Sequence, residues 1–262
     1  MKESLAPQPK DQYEIWGFEN LSGLIDSRNE EDNFEEVLEY ARSIEDITPD
    51  QALQLASKLS KKYKKDVREV KMKLDTDPLT GLFSRRFFDR KFPSLIKKFD
   101  NPNTLLESAM LILGDIDHFK VFNDTHGHQA GDQVIKAVAK RLQESVREWG
   151  GDIICRWAGD EFGIVLVFTR HYDEKGELVI VDHEEIFERI KKKVNGDFFV
   201  SINGKDERID ISFGRAVFQK DKYQEAKREG KYSDANEVAE KLFADADADL
   251  YNSKKSRSRR AA

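Results

Sequence analysis

Residues 153–168 read IICRWAGDEFGIVLVF. Two apolar runs, Ile153 to Trp157 and Phe162 to Phe168, flank Ala158-Gly159-Asp160-Glu161, which predicts two β-strands joined by a tight turn that presents two adjacent acids. Upstream, the apolar run Ala109 to Leu113 ends in Gly114-Asp115-Ile116-Asp117. That run predicts another strand, with Asp115 and Asp117 on one face at its end and Ile116 turned into the core. Magnesium prefers hard oxygen ligands and is often held by one or two carboxylates plus substrate phosphates, so acids at a strand end and at a neighbouring turn are candidate ligands in a nucleotide site. Either motif alone would read as a solvated acidic turn; the pair points to chemistry.

Working outward, amphipathic spacing predicts helices from about Ser84 to Phe99, Gly131 to Trp149, Glu184 to Val194 and Asp234 to Lys255, with a strand through Ile209, Ile211 and Phe213. Alternating helices and strands read as α/β. Arg170 to Asp182, with Glu174-Lys175-Gly176-Glu177 between β-prone runs, predicts a protruding hairpin. Before residue 75 the character changes. Residues 1–50 hold fourteen acidic side chains against four basic ones, and residues 51–74 hold eight basic against two acidic. Asp32 to Ile47 has helical spacing, and Thr48-Pro49-Asp50 is a start signal for a second helix. Along that second helix Leu53, Ala56, Tyr63, Val67, Val70 and Leu74 form an apolar stripe, which either pairs with a second copy or packs on the preceding helix. The division expected is 1–74, a helical regulatory or dimerisation segment, and 75–262, a catalytic domain.

The chain has 262 residues, 39% hydrophobic and 36% charged, with a net charge of -6. The apolar fraction excludes a wholly disordered chain, and the acidic balance argues against general nucleic-acid binding. No stretch approaches the ~18 apolar residues that span a bilayer, and the first ten residues lack the apolar run of a signal peptide, so a cytoplasmic protein without a membrane span is expected. The lone Cys155 lies in an apolar run and is expected to be buried without a chemical role.

The run Asp115 to Asp132, DIDHFKVFNDTHGHQAGD, resembles the signature of GGDEF-domain diguanylate cyclases, with Ala158 to Phe162 as the name-giving turn. Asp77-Pro78-Leu79-Thr80-Gly81-Leu82 resembles the entry motif of that domain, and Asp247 to Lys254 its last helix. The likeness covers about residues 75 to 258. It implies an α+β fold, a palm-like antiparallel sheet flanked by helices, here with a small N-terminal helical segment. It also implies that two GTP molecules become cyclic di-GMP and pyrophosphate in a homodimer, each 3′-hydroxyl attacking the α-phosphate of the opposite nucleotide. Carried over position by position, Asp115, Asp160 and the carbonyl of Ile116 would bind Mg2+, with Mn2+ as an alternative. Glu161 would be a further ligand, the group that eases deprotonation of the attacking hydroxyl, or both. Asn123 and Asp132 would read guanine, and His128 would lie near the base or ribose. Phe119 and Lys120 would lie near the phosphates, and Lys254 would hold the terminal phosphate. For His126 a turn residue bonded to backbone is expected. The input to residues 1–74, a protein or a ligand, is unnamed.

Three departures test this resemblance. Ala158 replaces the first glycine of the turn, harmless at negative φ and strained at positive φ. The family ends its last helix with lysine, two residues, glycine and arginine, whereas Lys254 is followed by Lys255-Ser256-Arg257-Ser258-Arg259. Arg257 or Arg259 would then supply the phosphate contact, or form a solvated tail. The family's inhibitory product site, Arg-x-x-Asp, is here Trp149-Gly150-Gly151-Asp152, which predicts weak or no feedback inhibition through it. The alternative to an active cyclase is a catalytically silent GTP-binding scaffold.

Overall fold

The computed structural model describes residues 57, 58, 61, 65, 70–146, 152–172, 174, 175 and 180–261, the last four by their main chain only. The expected helix at 32–47, most of the stripe from Leu53 to Leu74, the stretch 149–151 and the middle of the 170–182 segment lie outside the described residues. Residues Lys73–Ala262 form one compact unit.

Its centre is a sheet of five strands in the order β1-β3-β4-β2-β7. These are β1 Phe83–Ser84, β2 Leu106–Ile116, β3 Ile153–Ala158, β4 Glu161–Thr169 and β7 Ile211–Gln219; a separate hairpin pairs β5 Phe199–Ile202 with β6 Lys205–Arg208. β1 runs parallel to β3, and the other pairings in the sheet are antiparallel. The helices are α1 Arg85–Lys97, α2 Phe119–His126, α3 His128–Val146, α4 His183–Asn195, α5 Lys220–Arg228 and α6 Ala235–Ala261. The fold is therefore α+β, a mainly antiparallel sheet with helices on both faces. The simple alternation of elements suggested α/β, but the tight β3–β4 connection makes neighbours antiparallel.

Central β2 shows why both faces must be covered. Met110, Ile112 and Ile116 join Phe119, Val134, Val138, Leu142, Ile186 and Ile190, the apolar sides of α2, α3 and α4. The alternate residues Ala109, Leu111 and Leu113 join Phe88, Phe92, Ile96, Val238, Leu242, Ala246 and Leu250 from α1 and α6. Helix α1 starts where Ser84 Oγ accepts the Phe87 N–H at 3.3 Å, an ordinary N-cap. Buried Cys155 packs in the second core, its thiol pushed up to about 12 by burial. At Gly214 on β7 a Cβ would stand 2.0 Å from Leu250 N and 2.4 Å from Ala246 O. The missing side chain lets the backbone of α6 lie directly on the sheet, which fixes how far the helix reaches along it.

Asp152, just before β3, has both carboxylate oxygens buried without a hydrogen-bond partner. Burial pushes its pKa up to about 6, and the nearby Val167 main chain offsets only part of that cost. A carboxyl whose folded value lies above its unfolded one stabilises fully below the unfolded value, near pH 4, and loses that contribution as pH rises through about 6. Asp152→Asn is expected to raise stability by ~1–3 kcal/mol at pH 7.5 and by little at pH 4. Thermal melts at the two pH values check this, and an equal shift at both would remove the charge as its cause.

Candidate active site

The site grows from the end of β2. Asp115 pairs in register with Glu161 on β4 and with Ser212 on β7, so these three residues lie in one row across the sheet. Between Ala158 and Glu161 the β3–β4 loop is Gly159-Asp160, with positive φ (46°) at Gly159. A positive φ at the first central residue of a two-residue loop is the type II′ pattern, which matches the right-handed strand twist and favours glycine there. Ala158 is not among the positive-φ residues, so its methyl group is accommodated without backbone strain. The turn is also tied to β2, since Ile116 N–H donates to the Asp160 carbonyl at 3.3 Å.

Asp115, Asp160 and Glu161 thus form one acidic group. Burial raises the pKa of Asp115, Asp160 and Asp117 add to that rise, and Lys254 opposes it. Burial also raises Glu161, helped by the charges of Asp115 and Asp160 and opposed by Lys254. Lys254 comes from α6, and its Nζ lies 2.7 Å from Asp115 Oδ2. Clustered carboxylates that repel one another beside a lysine form a site short of positive charge. Among the described residues no three His, Cys, Asp or Glu side chains converge to hold a metal by themselves. The donors that could hold one are two or three carboxylates and the Ile116 carbonyl, hard oxygens that suit Mg2+ when phosphate oxygens and water complete its shell. The donor set fits the cation.

A second group lies on α2 and α3. Asn123 Oδ1 is buried without a partner. Beside it a Cβ on Gly131 would stand 1.9 Å from that same oxygen, so the glycine makes room for the amide. An unpartnered buried acceptor in a space kept open by a glycine calls for an explanation, and a donor from a bound ligand is one candidate. Asp132 and His128 are exposed on the first turns of α3. The Phe119 ring is in the core, so only its main chain, at the start of α2, is available to a phosphate. Lys120, the next residue, is exposed. His126 ends α2 rather than a turn, its ring tilted against Phe122 with centroids 4.6 Å apart and its Nε2 4.0 Å from Glu207 Oε1. Between the two groups His118 holds a left-handed conformation (φ 57°), uncommon outside glycine.

Several contacts were not anticipated. Arg156 Nε donates to the Gly159 carbonyl at 2.9 Å, and its Nη1 lies 3.3 Å from Asp77 Oδ2. Asp77 in turn accepts from the N–H and hydroxyl of Thr80. The entry turn is thereby bonded to the backbone of the acidic turn. Arg156→Ala is expected to lower stability by ~1–3 kcal/mol, because it removes both bonds and leaves Asp77 half-buried without its cation; urea unfolding measures this. Asp117 lies beyond the end of β2, one oxygen accepting from Ser212 Oγ at 2.6 Å and the other 2.5 Å from Arg257 Nη1. Arg257 therefore contacts protein here. The Asx-turn pattern Asp77-x-x-Thr80 was open to local reading. Arg156 with Asp77 and Arg257 with Asp117 join residues 79 and 140 positions apart, for which a single sequence carries no signal. A cavity of about 460 Å³ between α1 and α6, walled by Phe88, Phe92, Trp157 and Phe243, includes none of Asp115, Asp160 and Glu161.

The family model described as diguanylate cyclase, GGDEF domain, matches residues 74–260, and the chain belongs to that family. Cyclic di-GMP synthesis is the chemistry of the family. The response regulator PleD of Caulobacter vibrioides is 37% identical over 140 residues, 53% of this chain and 28% of PleD. The diguanylate cyclase VdcA of Vibrio cholerae is 38% identical over 104 residues, 40% of this chain and 28% of VdcA. The match thus spans little more than a quarter of either relative. The coiled coil and GGDEF domain of DgcB from Caulobacter crescentus, solved in complex with c-di-GMP, superposes with a TM-score of 0.58 at 24% identity. It covers 79% of this chain and 94% of the DgcB chain, a likeness that bears on fold alone. No helix among the described residues is long and apolar enough to cross a membrane.

Proposed function

We propose that this chain is an active diguanylate cyclase, which joins two GTP molecules into cyclic di-GMP and releases two pyrophosphates. The observation that carries this reading is the row of Asp115 and Glu161, with Asp160 at the turn beside them and Lys254 laid on Asp115. Residues 75–262 are the catalytic part. Two copies act together, each holding one GTP, and residues 1–74 bring them together and receive an input from a protein or ligand.

Asn123 and Asp132 bind the guanine edge, the amide and carboxylate meeting its acceptors and donors. His128 borders the base or ribose. The start of α2, with the Phe119 main chain and Lys120, receives phosphate oxygens. Lys254 holds the terminal phosphate, exchanging one oxygen anion for another. Asp115, Asp160, Glu161 and the Ile116 carbonyl hold Mg2+, or Mn2+ in its place, which when bound stabilises the charge developing on the transferred phosphate and on pyrophosphate. The new bond runs from the 3′-oxygen of one nucleotide to the α-phosphorus of the other. The bond broken is the one from α-phosphorus to the bridging oxygen, and the hydroxyl proton leaves toward Glu161. Burial and the charges of Asp115 and Asp160 raise the pKa of Glu161, the direction that makes a carboxylate the better proton acceptor. The absence of a positive φ at Ala158 supports activity over the silent scaffold, since the alanine in place of glycine then meets no left-handed strain.

The test is incubation of the purified chain with GTP and Mg2+, followed by chromatography for cyclic di-GMP and pyrophosphate. Both products are expected. A dimer that binds GTP and yields neither would establish the scaffold instead.

A further inference from the structure

We infer that Arg257, with Asp117 and Ser212 behind it, is a positioning residue that holds Lys254 over the acids. This rests on the reading above, in which Lys254 meets a phosphate of the nucleotide.

Lys254 and Arg257 are three residues apart on α6, so they project from neighbouring points of one helix face. Their partners are Asp115 in β2 and Asp117 just beyond its end, giving two neighbouring bridges from the helix, 2.7 Å and 2.5 Å long. The bridges differ in what stands behind them. Asp117 is fixed from three sides: Ser212 Oγ donates to Oδ1, Arg257 meets Oδ2, and its own N–H donates to the Asp210 carbonyl at 2.9 Å. Such a carboxylate is committed to the protein. Asp115 faces Asp160 and Glu161, and in the reading above it is the acid that turns to the cation when nucleotide binds.

The Lys254 bridge is therefore the one that exchanges, and the Arg257 bridge the one that stays. Lysine is a point charge on a flexible stem, well suited to passing from carboxylate to phosphate but poorly able to place itself. A helix also loosens toward its end, and Lys254 lies seven residues before the last residue of α6, Ala261. A guanidinium anchored one turn beyond the lysine removes that freedom. At the position where the family pattern has glycine, this chain thus spends its arginine on its own sheet.

The experiment uses the full chain with Mg2+ and the 3′-deoxy analogue of GTP, which lacks the attacking hydroxyl and so binds without turnover. Calorimetry gives its affinity for the parent and for Lys254→Gln, Arg257→Gln and the double variant. Lys254→Gln is expected to weaken binding by about tenfold or more, the loss of one charge-assisted contact. Arg257→Gln should weaken it by about threefold to tenfold, and by less than about twofold once Lys254 is already Gln, because its effect passes through the lysine. Arg257→Lys should recover much of the loss, and Ser212→Ala should give a smaller loss that likewise vanishes beside Lys254→Gln. Melting curves identify any variant that fails to fold, and Ser212→Ala then carries the cycle. An Arg257→Gln loss of equal size in both backgrounds would overturn the inference, marking either a general structural role or a separate phosphate contact. No effect of Arg257→Gln would overturn it too. Parent protein that does not bind the analogue would overturn the proposed function, and this inference with it.

Discussion

A chain carrying Asp160→Asn and Glu161→Gln together makes no cyclic di-GMP, yet melts at a higher temperature than its parent when no nucleotide is present. The loss of product should be on the order of a thousandfold or more, the scale seen when a preorganised charge is removed from a reacting centre. The rise in stability follows from the same charges. Glu161 has its pKa raised by burial and by Asp115 and Asp160, so in the empty protein the ionised side chain is held against a cost. Removing two of three clustered carboxylates relieves that repulsion and leaves Lys254 on Asp115. A gain of ~1 kcal/mol, read from thermal melts at pH 7.5, is the expected size for partly exposed charges. Added Mg2+ should stabilise the parent more than the variant. A variant that lost activity and melted lower would have lost its fold, and the acids would then have a structural explanation.

Gly131→Ala is expected to leave helix α3 as stable as before while weakening GTP binding by about tenfold to a hundredfold. Alanine normally stabilises a helix interior relative to glycine by ~1 kcal/mol. Here the added methyl carbon would stand 1.9 Å from Asn123 Oδ1, so the amide must leave its place. The Phe119 ring, 3.1 Å from that carbon, offsets the helix gain, so stability stays level while the site loses its amide. Asn123→Ala should resemble it in one respect: GTP loses more affinity than ATP does, because only guanine places a matching donor against the buried acceptor. Titration of both nucleotides against the three proteins measures this, and equal losses for GTP and ATP would separate Asn123 from base recognition.

What could be read from the chain follows from how local each signal is. Helix α1 was legible because Ser84 caps it and Phe88, Phe92 and Ile96 repeat every four residues. The strands β2, β3 and β4 were legible as apolar runs, and so was the position of their acids, since a charged pair at the end of such a run can only sit at the sheet edge. Helix α2 was missed: it has eight residues, one of them buried, and starts at left-handed His118 with no side-chain cap. Helix α5 is largely charged and buries only Lys220 and Tyr223, so it offers no apolar period. The β5–β6 hairpin carried its signal in Asn203-Gly204, where both φ values are positive, but its strands are too exposed to alternate clearly. Helix α3 begins at His128 instead of Gly131. Within the site, Arg257 was read as a phosphate contact or a solvated tail, and its bond to Asp117 became visible only when the fold closed a loop of 140 residues.

Close seating of α6 at Gly214 decides how fast the site can respond. A helix whose main chain lies against a strand with no room for a methyl group cannot roll or slide without lifting off the sheet. Collective helix shifts of that kind take microseconds or longer, whereas the rotation of a half-exposed lysine takes picoseconds to nanoseconds. If only the Lys254 side chain has to move, admission of the nucleotide is not gated by a slow rearrangement of this element. Any slow conformational step on the way to binding then lies outside this helix.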